Sequence, residues 1–556
     1  MMRRAGAFLF GLVALLVFGS QPALADTRFS VTLGAAAAHE PLTGRLIVIA
    51  SRRQVAEPYM TIGFNGSPIF GTDVSAWRPG SATVVDGQAD SYPVDLAQLP
   101  AGDYAVQALL IRYTLAHRAD GHDVWVPYSP RRVMTYQMGG NLISAAVRVH
   151  IDPATSQTVA LTLTDATAQP AERVETPWIK HVRIRSEILS RFWGMPIYIG
   201  ASVLLPRGWA EHPDAHYPSV YVFGHGDAPF QFTTDPATDT PEEQASARDS
   251  NVETGYQFSR SWLSDGFPRM VAITLENPSP YFLESYSVNS ANNGPWGDAT
   301  TKELIPYLER QFRLIPHAWA RVTEGASTGG WEAMALQVHY PELFGGSWVF
   351  NPDPIDFSRY QLVNIYEDKN FFEIPTNEWF TAERPFRRSR EGQPLWTERQ
   401  LARLESVLGS HGRSFYQLGI WQATHGPVGP DGYPVALFDF HTGVINHDVA
   451  NYMRDHGYDL SAYVRQNWAR LGPALRGHIN LISGEQDDFF LNLAVYQFEA
   501  MFREKGGPDY PIRFVYGRPK KGHNWHHTDW AGVVREMAAH MRQVAPPGTD
   551  PASWNY

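Results

Sequence analysis

The chain has 556 residues, 44% of them hydrophobic, 13% aromatic and 19% charged, with a formal net charge of −11. That acidic balance argues against nucleic acid and against anionic membrane surfaces as partners. There is no cysteine, which excludes disulfides, thiolate zinc sites and a cysteine nucleophile; a chain of this length and apolar content can still build two or three domains around its own cores.

The first 25 residues read as a targeting segment. Arg3 and Arg4 supply the charged start, Ala5 to Phe18 the apolar run and Ala23-Leu24-Ala25 the cleavage site. The run is too short to span a bilayer and no later segment is long enough either. The expectation is a periplasmic or secreted protein with no membrane span.

Residues 26–170 read as a β-rich domain of sandwich-like form. Arg45 to Ala50 is an apolar strand. Tyr104, Val106, Ala108 and Leu110 alternate with their neighbours, as do Val147, Val149 and Ile151, and then Val159, Leu161 and Leu163. Pro170 and Pro177 mark a linker.

From residue 175 to 546 strands alternate with helices. His181 to Ile188 and Ile197 to Leu205 form an expected antiparallel opening pair. Further strands are expected at Tyr217 to Phe223, Met270 to Leu275, Arg321 to Glu324, Ser347 to Phe350, His478 to Ser483 and Ile512 to Tyr516. Helices are expected at Lys302 to Phe312 and Trp530 to Val544. The alternation predicts an α/β fold, a doubly wound, mostly parallel sheet. An insert at about 357–476, rich in aromatics and His, is too long for a plain loop and is expected to form a cap or lid. Its Trp379, Phe380, Trp396, Trp421 and Phe440 are candidates for a pocket wall or for the insert's own core.

Chemistry enters at Gly325-Ala326-Ser327-Thr328-Gly329, the one Gly-x-Ser-x-Gly in the chain. A short β-compatible run precedes it, and Trp331, Met334, Ala335 and Val338 follow on one helical face. Strand, tight turn and helix are the context of a nucleophile elbow. An alkyl hydroxyl needs a base, and a base needs an orienting carboxylate. Gly484-Glu485-Gln486-Asp487-Asp488 follows a late strand, and Gly522-His523-Asn524 follows the last one. Ser327, His523 and Asp487 are therefore the expected nucleophile, base and acid. His526 and His527 compete for the base, and Asp488, Asp353 and Asp356 for the acid. The backbone amides of Thr328, Gly226 and Asp227 are the expected oxyanion donors, the last two from the loop after Tyr217 to Phe223. His526 and His527 do not follow a recognised zinc spacing, and neither a metal nor an organic cofactor is expected.

Ser327-Thr-Gly-Gly-Trp331, Tyr340-Pro-Glu-Leu-Phe344 and Asn351-Pro-Asp-Pro-Ile-Asp-Phe357 resemble the esterase family related to esterase D and enterochelin esterase. Gly102-Asp103-Tyr104, Phe192-Trp193-Gly194, Ser287-Val-Asn289 and Gly484-Glu-Gln-Asp487 narrow the resemblance to exported bacterial members with a β-rich front domain. The resemblance implies an α/β-hydrolase fold and hydrolysis of a small-molecule or polymeric carboxylic ester. It leaves acyl and alcohol specificity open. A serine peptidase or amidase, and a non-catalytic binding protein on a hydrolase fold, are the competing readings.

Overall fold

The computed structural model describes residues 27–556 apart from Gln54, Pro153, residues 550–553 and Asn555; the targeting segment lies outside the described residues. Eight strands of the C-terminal unit build one sheet: β1 (Ile179–Ser186), β2 (Ile197–Leu204), β3 (Ser219–Phe223), β4 (Val271–Glu276), β5 (Arg321–Ala326), β6 (Gly346–Phe350), β7 (Ile479–Gly484) and β8 (Arg513–Gly517). Their order is β1-β2-β4-β3-β5-β6-β7-β8. The first two pairings, β1 with β2 and β2 with β4, are antiparallel; every later one is parallel. Helices cover both faces, so the central strands are buried throughout, as parallel strands under helices must be. This is an α/β-hydrolase sheet, with β5 in its centre and the carboxyl ends of β5, β7 and β8 at one edge.

Two details depart from the sequence reading. Ile188 belongs to a helix, Glu187–Trp193, rather than to a strand; Ser186 caps it by accepting from the Leu189 amide at 3.1 Å. The helix expected at Lys302 to Phe312 begins as a π turn, Thr300–Leu304, and becomes α only from Ile305 to Phe312. Pro306 carries no N–H, and one bond of the regular ladder is missing at the change.

The N-terminal strands form one nine-stranded sheet instead of two separately bonded ones. It curls over, so that Phe29 near one end lies 5.9 Å from Phe70 near the other, between ring centroids. The enclosed core takes Val31, Leu33, Leu46, Val48, Leu110 and Leu161. The opposite face is covered as well. Helix Glu398–Leu408 of the insert lays Leu404, Val407 and Leu408 on Ile47, Ile49, Leu109 and Ile111. Arg45 fixes the end of that helix, donating to the Val407 carbonyl at 2.9 Å and the Ser406 carbonyl at 2.6 Å. Strand Leu42–Ser51 is thus buried on both faces, which is why it reads as a continuous apolar run instead of an alternating one. The insert ties the two sheets together.

Candidate active site

Ser327 sits between β5 and helix Thr328–His339 with φ 57° and ψ −124°. A non-glycine residue holds that conformation only where its surroundings enforce it. The Ser327 amide donates to the Phe350 carbonyl at 3.0 Å, and the Ser327 carbonyl accepts from Asp353 N at 3.0 Å. The flanking glycines are required by contact. A Cβ on Gly325 would overlap the Gly329 carbonyl, and one on Gly329 would overlap the Phe223 carbonyl. Thr328 opens the helix, where first-turn amides have no acceptor within the helix.

The carboxyl ends of β7 and β8 bring His523 and Asp487 together. Asp487 is fully buried, and its Oδ2 lies 2.7 Å from His523 Nδ1. Its Oδ1 accepts from the amides of Phe489 at 2.9 Å and Leu491 at 3.1 Å, which fixes the carboxylate. Burial pulls the His523 pKa down, but the charge and bond of Asp487 outweigh it, helped by Asp353 and Asp488, and leave it above its ordinary value. Asp488 meets the same residue at a different atom, accepting from the His523 backbone amide at 3.2 Å while its other oxygen lies 3.3 Å from Arg387. Asn351, after β6, spans both loops: its Oδ1 accepts from Gly484 N at 2.8 Å and its Nδ2 donates to the Trp525 carbonyl at 3.3 Å.

The other candidate histidines are engaged elsewhere. His526 packs between Phe350 and Trp530, and burial drives its pKa down to about 3. His527 lies 3.0 Å from the Glu536 carboxylate. Among the described residues, no group of three or more His, Asp or Glu is arranged to hold a metal ion. Asp356 is occupied in capping its own turn, accepting from Ser358.

Ser327, His523, Asp353 and Gly226 line one cavity of about 880 Å³. Its aromatic lining includes Phe64 from a loop of the N-terminal domain, Phe386, Trp396 and Tyr416 from the insert, and Phe489 after β7. Phe64 stacks on Phe386 and Trp396 at centroid distances of 5.7 and 4.8 Å. Of the insert aromatics singled out from sequence, Trp396 and Trp421 face this cavity, Phe440 stacks on Phe438, and Trp379 and Phe380 stand exposed.

The loop after β3 supplies Gly224, His225 and Gly226 to the wall. The Asp227 side chain turns outward to an ion pair with Arg173 at 2.5 Å. The loop is held by a residue with no signal in the sequence. Arg132, from the N-terminal segment, donates to the carbonyls of Gly224 at 3.1 Å, Gly226 at 2.7 Å and Leu275. Buried Glu284 stands behind it, 3.9 Å from Arg132 and 3.1 Å from His225 Nδ1. Burial lowers the His225 pKa but the Glu284 charge raises it further, and the net shift is upward.

Residues 195–406 match the family model described as "Putative esterase". In the solved structures the chain is similar to a ferulic acid esterase (14% identity, 66% of this chain and 98% of that one, TM-score 0.35). It is similar also to an S-formylglutathione hydrolase from Agrobacterium tumefaciens (14% identity, 66% and 95%, TM-score 0.32), and to the fluorophosphonate-binding serine hydrolase FphF of Staphylococcus aureus (12% identity, 65% and 98%, TM-score 0.31). One curated relative, 6-hydroxynicotinate 3-monooxygenase of Pseudomonas fluorescens, is 27% identical over 196 residues. That match takes in 32% of this chain, and the chain spans under half, 46%, of the relative's length. The matched family segment runs from β2 through the elbow into the insert helix, and over that segment the chain is similar to this esterase family.

Proposed function

We propose that the chain is an exported serine esterase that works through an acyl-enzyme. His523 Nε2 takes the proton of Ser327 Oγ as the oxygen attacks the ester carbonyl carbon. The carbonyl oxygen becomes an oxyanion, met by the amides of Thr328 and of the Gly226-Asp227 loop. Collapse expels the alcohol, which takes the proton from His523 and leaves the acyl group on Ser327. Water then attacks the acyl carbon, giving its proton to His523, and the acid leaves as Ser327 regains its hydrogen. Asp487 holds the imidazole in the tautomer that leaves Nε2 free to accept, and steadies the cation that forms.

The observation that carries this reading is the buried Asp487 carboxylate on His523 Nδ1 at 2.7 Å, in the cavity that Ser327 enters from its strained turn. A binding protein on the same fold has no need of that arrangement. The likeness to a monooxygenase covers too little of either chain to direct the chemistry. Residues 1–25 have the make-up of a cleavable secretory segment and support action outside the cytoplasm.

Rapid mixing with p-nitrophenyl acetate tests the acyl-enzyme. A burst of about one nitrophenolate per chain, absent from Ser327→Ala, is expected. A steady rate equal in the two proteins contradicts it.

A further inference from the structure

Asp353 follows β6 and is 3% exposed, yet it lines the active cavity. Its two oxygens are used very differently. Oδ2 is crowded by donors: the Tyr286 hydroxyl at 2.6 Å, Gln417 Nε2 at 2.7 Å, the Thr328 hydroxyl at 3.0 Å and Trp421 Nε1 at 3.2 Å. Two of these, Gln417 and Trp421, belong to the insert. Among the described residues, Oδ1 has only Ser327 Oγ, at 3.5 Å, a long contact. So many donors on one oxygen aim the other at the place where the nucleophile meets its substrate.

All four donors are neutral groups. They satisfy hydrogen-bonding capacity but bring no charge, and none of the ion pairs formed by the described residues includes Asp353. His523 lies near enough for its charge to be felt but forms no ion pair with Asp353, and a buried carboxylate with no cation bonded to it gains from a partner that brings one. Burial pushes its carboxyl above the usual carboxylate range, and the bonds from Tyr286, Trp421 and Thr328, with the charge of His523, pull the other way.

Position fixes which part of a substrate arrives there. In a reactive complex the carbonyl carbon stands about 3 Å from the attacking oxygen. A substituent on the neighbouring α-carbon then lies at a similar distance from Ser327 Oγ, and within reach of Asp353 Oδ1. Resting on the esterase reading above, we infer that Asp353 Oδ1 is a subsite for a protonated α-amino group, and that the substrates are esters of α-amino acids. A hydroxyl at the same place adds one more dipole to the carboxylate, whereas an ammonium also neutralises it.

The test compares benzyl esters of L-alanine, L-lactate and propionate at about pH 7, where an α-amino group is largely protonated. They differ only in the α-substituent. The wild-type enzyme is expected to cleave the alanine ester with kcat/KM at least tenfold above the other two. In Asp353→Asn that ratio should fall to about 1, whatever the absolute turnover. Should the variant not fold, inhibition of propionate-ester cleavage in the wild type by L-alaninamide against propionamide supplies the same contrast. A wild-type enzyme that cleaves the propionate ester as well as the alanine ester overturns the subsite and leaves the esterase intact. Preference for the lactate ester overturns it in favour of hydroxyl recognition. Cleavage of none of the three, with no burst from p-nitrophenyl acetate, removes both readings together.

Discussion

Arg132 reaches the loop proposed to meet the oxyanion from outside the C-terminal sheet, and Arg132→Ala isolates what it contributes. The guanidinium is 4% exposed and holds the carbonyls of Gly224, Gly226 and Leu275 at once. Leu275 is buried, and a buried carbonyl left without a donor costs about 1–3 kcal/mol; Gly226 is exposed, so its freed carbonyl turns to water and the loop carries its amides away from Ser327. Deleting an oxyanion donor outright lowers kcat by about 10²–10³. Here the donor persists but is no longer anchored, and a loss of about 10- to 100-fold in kcat, roughly 1.4–2.7 kcal/mol, is expected. KM should move much less, because the loop acts on the developing charge and not on the ground-state ester. The assay is kcat and KM for p-nitrophenyl acetate beside thermal unfolding of the same preparations. Arg132→Lys should recover only part of the rate, since one ammonium cannot reproduce the planar fork that serves three carbonyls. A folded Arg132→Ala enzyme with kcat within twofold of wild type refutes the reasoning; a fall in melting temperature alone means that the residue is purely structural.

Further predictions concern the base, the elbow and the interface. His523 must be neutral to accept the Ser327 proton, and its pKa lies above the ordinary value, so kcat/KM should fall as pH drops through an inflection above 6.5. Asp487→Asn removes the main upward influence and leaves burial, so its residual activity, reduced by about 10³–10⁴, should keep its acid limb to lower pH; an unmoved inflection in the pH profile contradicts the coupling. Gly329→Ala puts a methyl into the Phe223 carbonyl and should abolish both activity and the cooperative thermal transition of the catalytic unit. Leu404→Ala empties a fully buried position between the insert helix and the N-terminal sheet and should destabilise by about 2–5 kcal/mol in urea titration; a change below about 1 kcal/mol means that the interface adds little.

The parts legible in the sequence are those with local signatures. The elbow announced itself because Gly325 and Gly329 touch backbone only four or more residues away or on the adjacent strand, and no other residue fits. Asp487 and His523 were readable as positions after the last two strands, and neighbouring Asp487 and Asp488 do address different atoms of His523, as alternating side-chain directions require. What the sequence hid are pairings across hundreds of residues. The run from Leu46 to Ala50 was recognisable as a strand, but its second buried face belongs to Leu404 and Val407. Arg132 is one arginine among many until the chain folds it onto Gly224 and Gly226. In the sequence Asp353 reads only as a rival acid. Its neighbours Gln417 and Trp421 lie in an insert whose short helices and loops carry no period that points to them.

The central claim is that Ser327 is a nucleophile activated by His523. A fluorophosphonate probe, followed by digestion and mass spectrometry, tests it most directly. One adduct per chain is expected on the peptide holding Ser327, none in Ser327→Ala, and much slower labelling in His523→Ala. An adduct at another residue, or labelling that persists unchanged in Ser327→Ala, contradicts it.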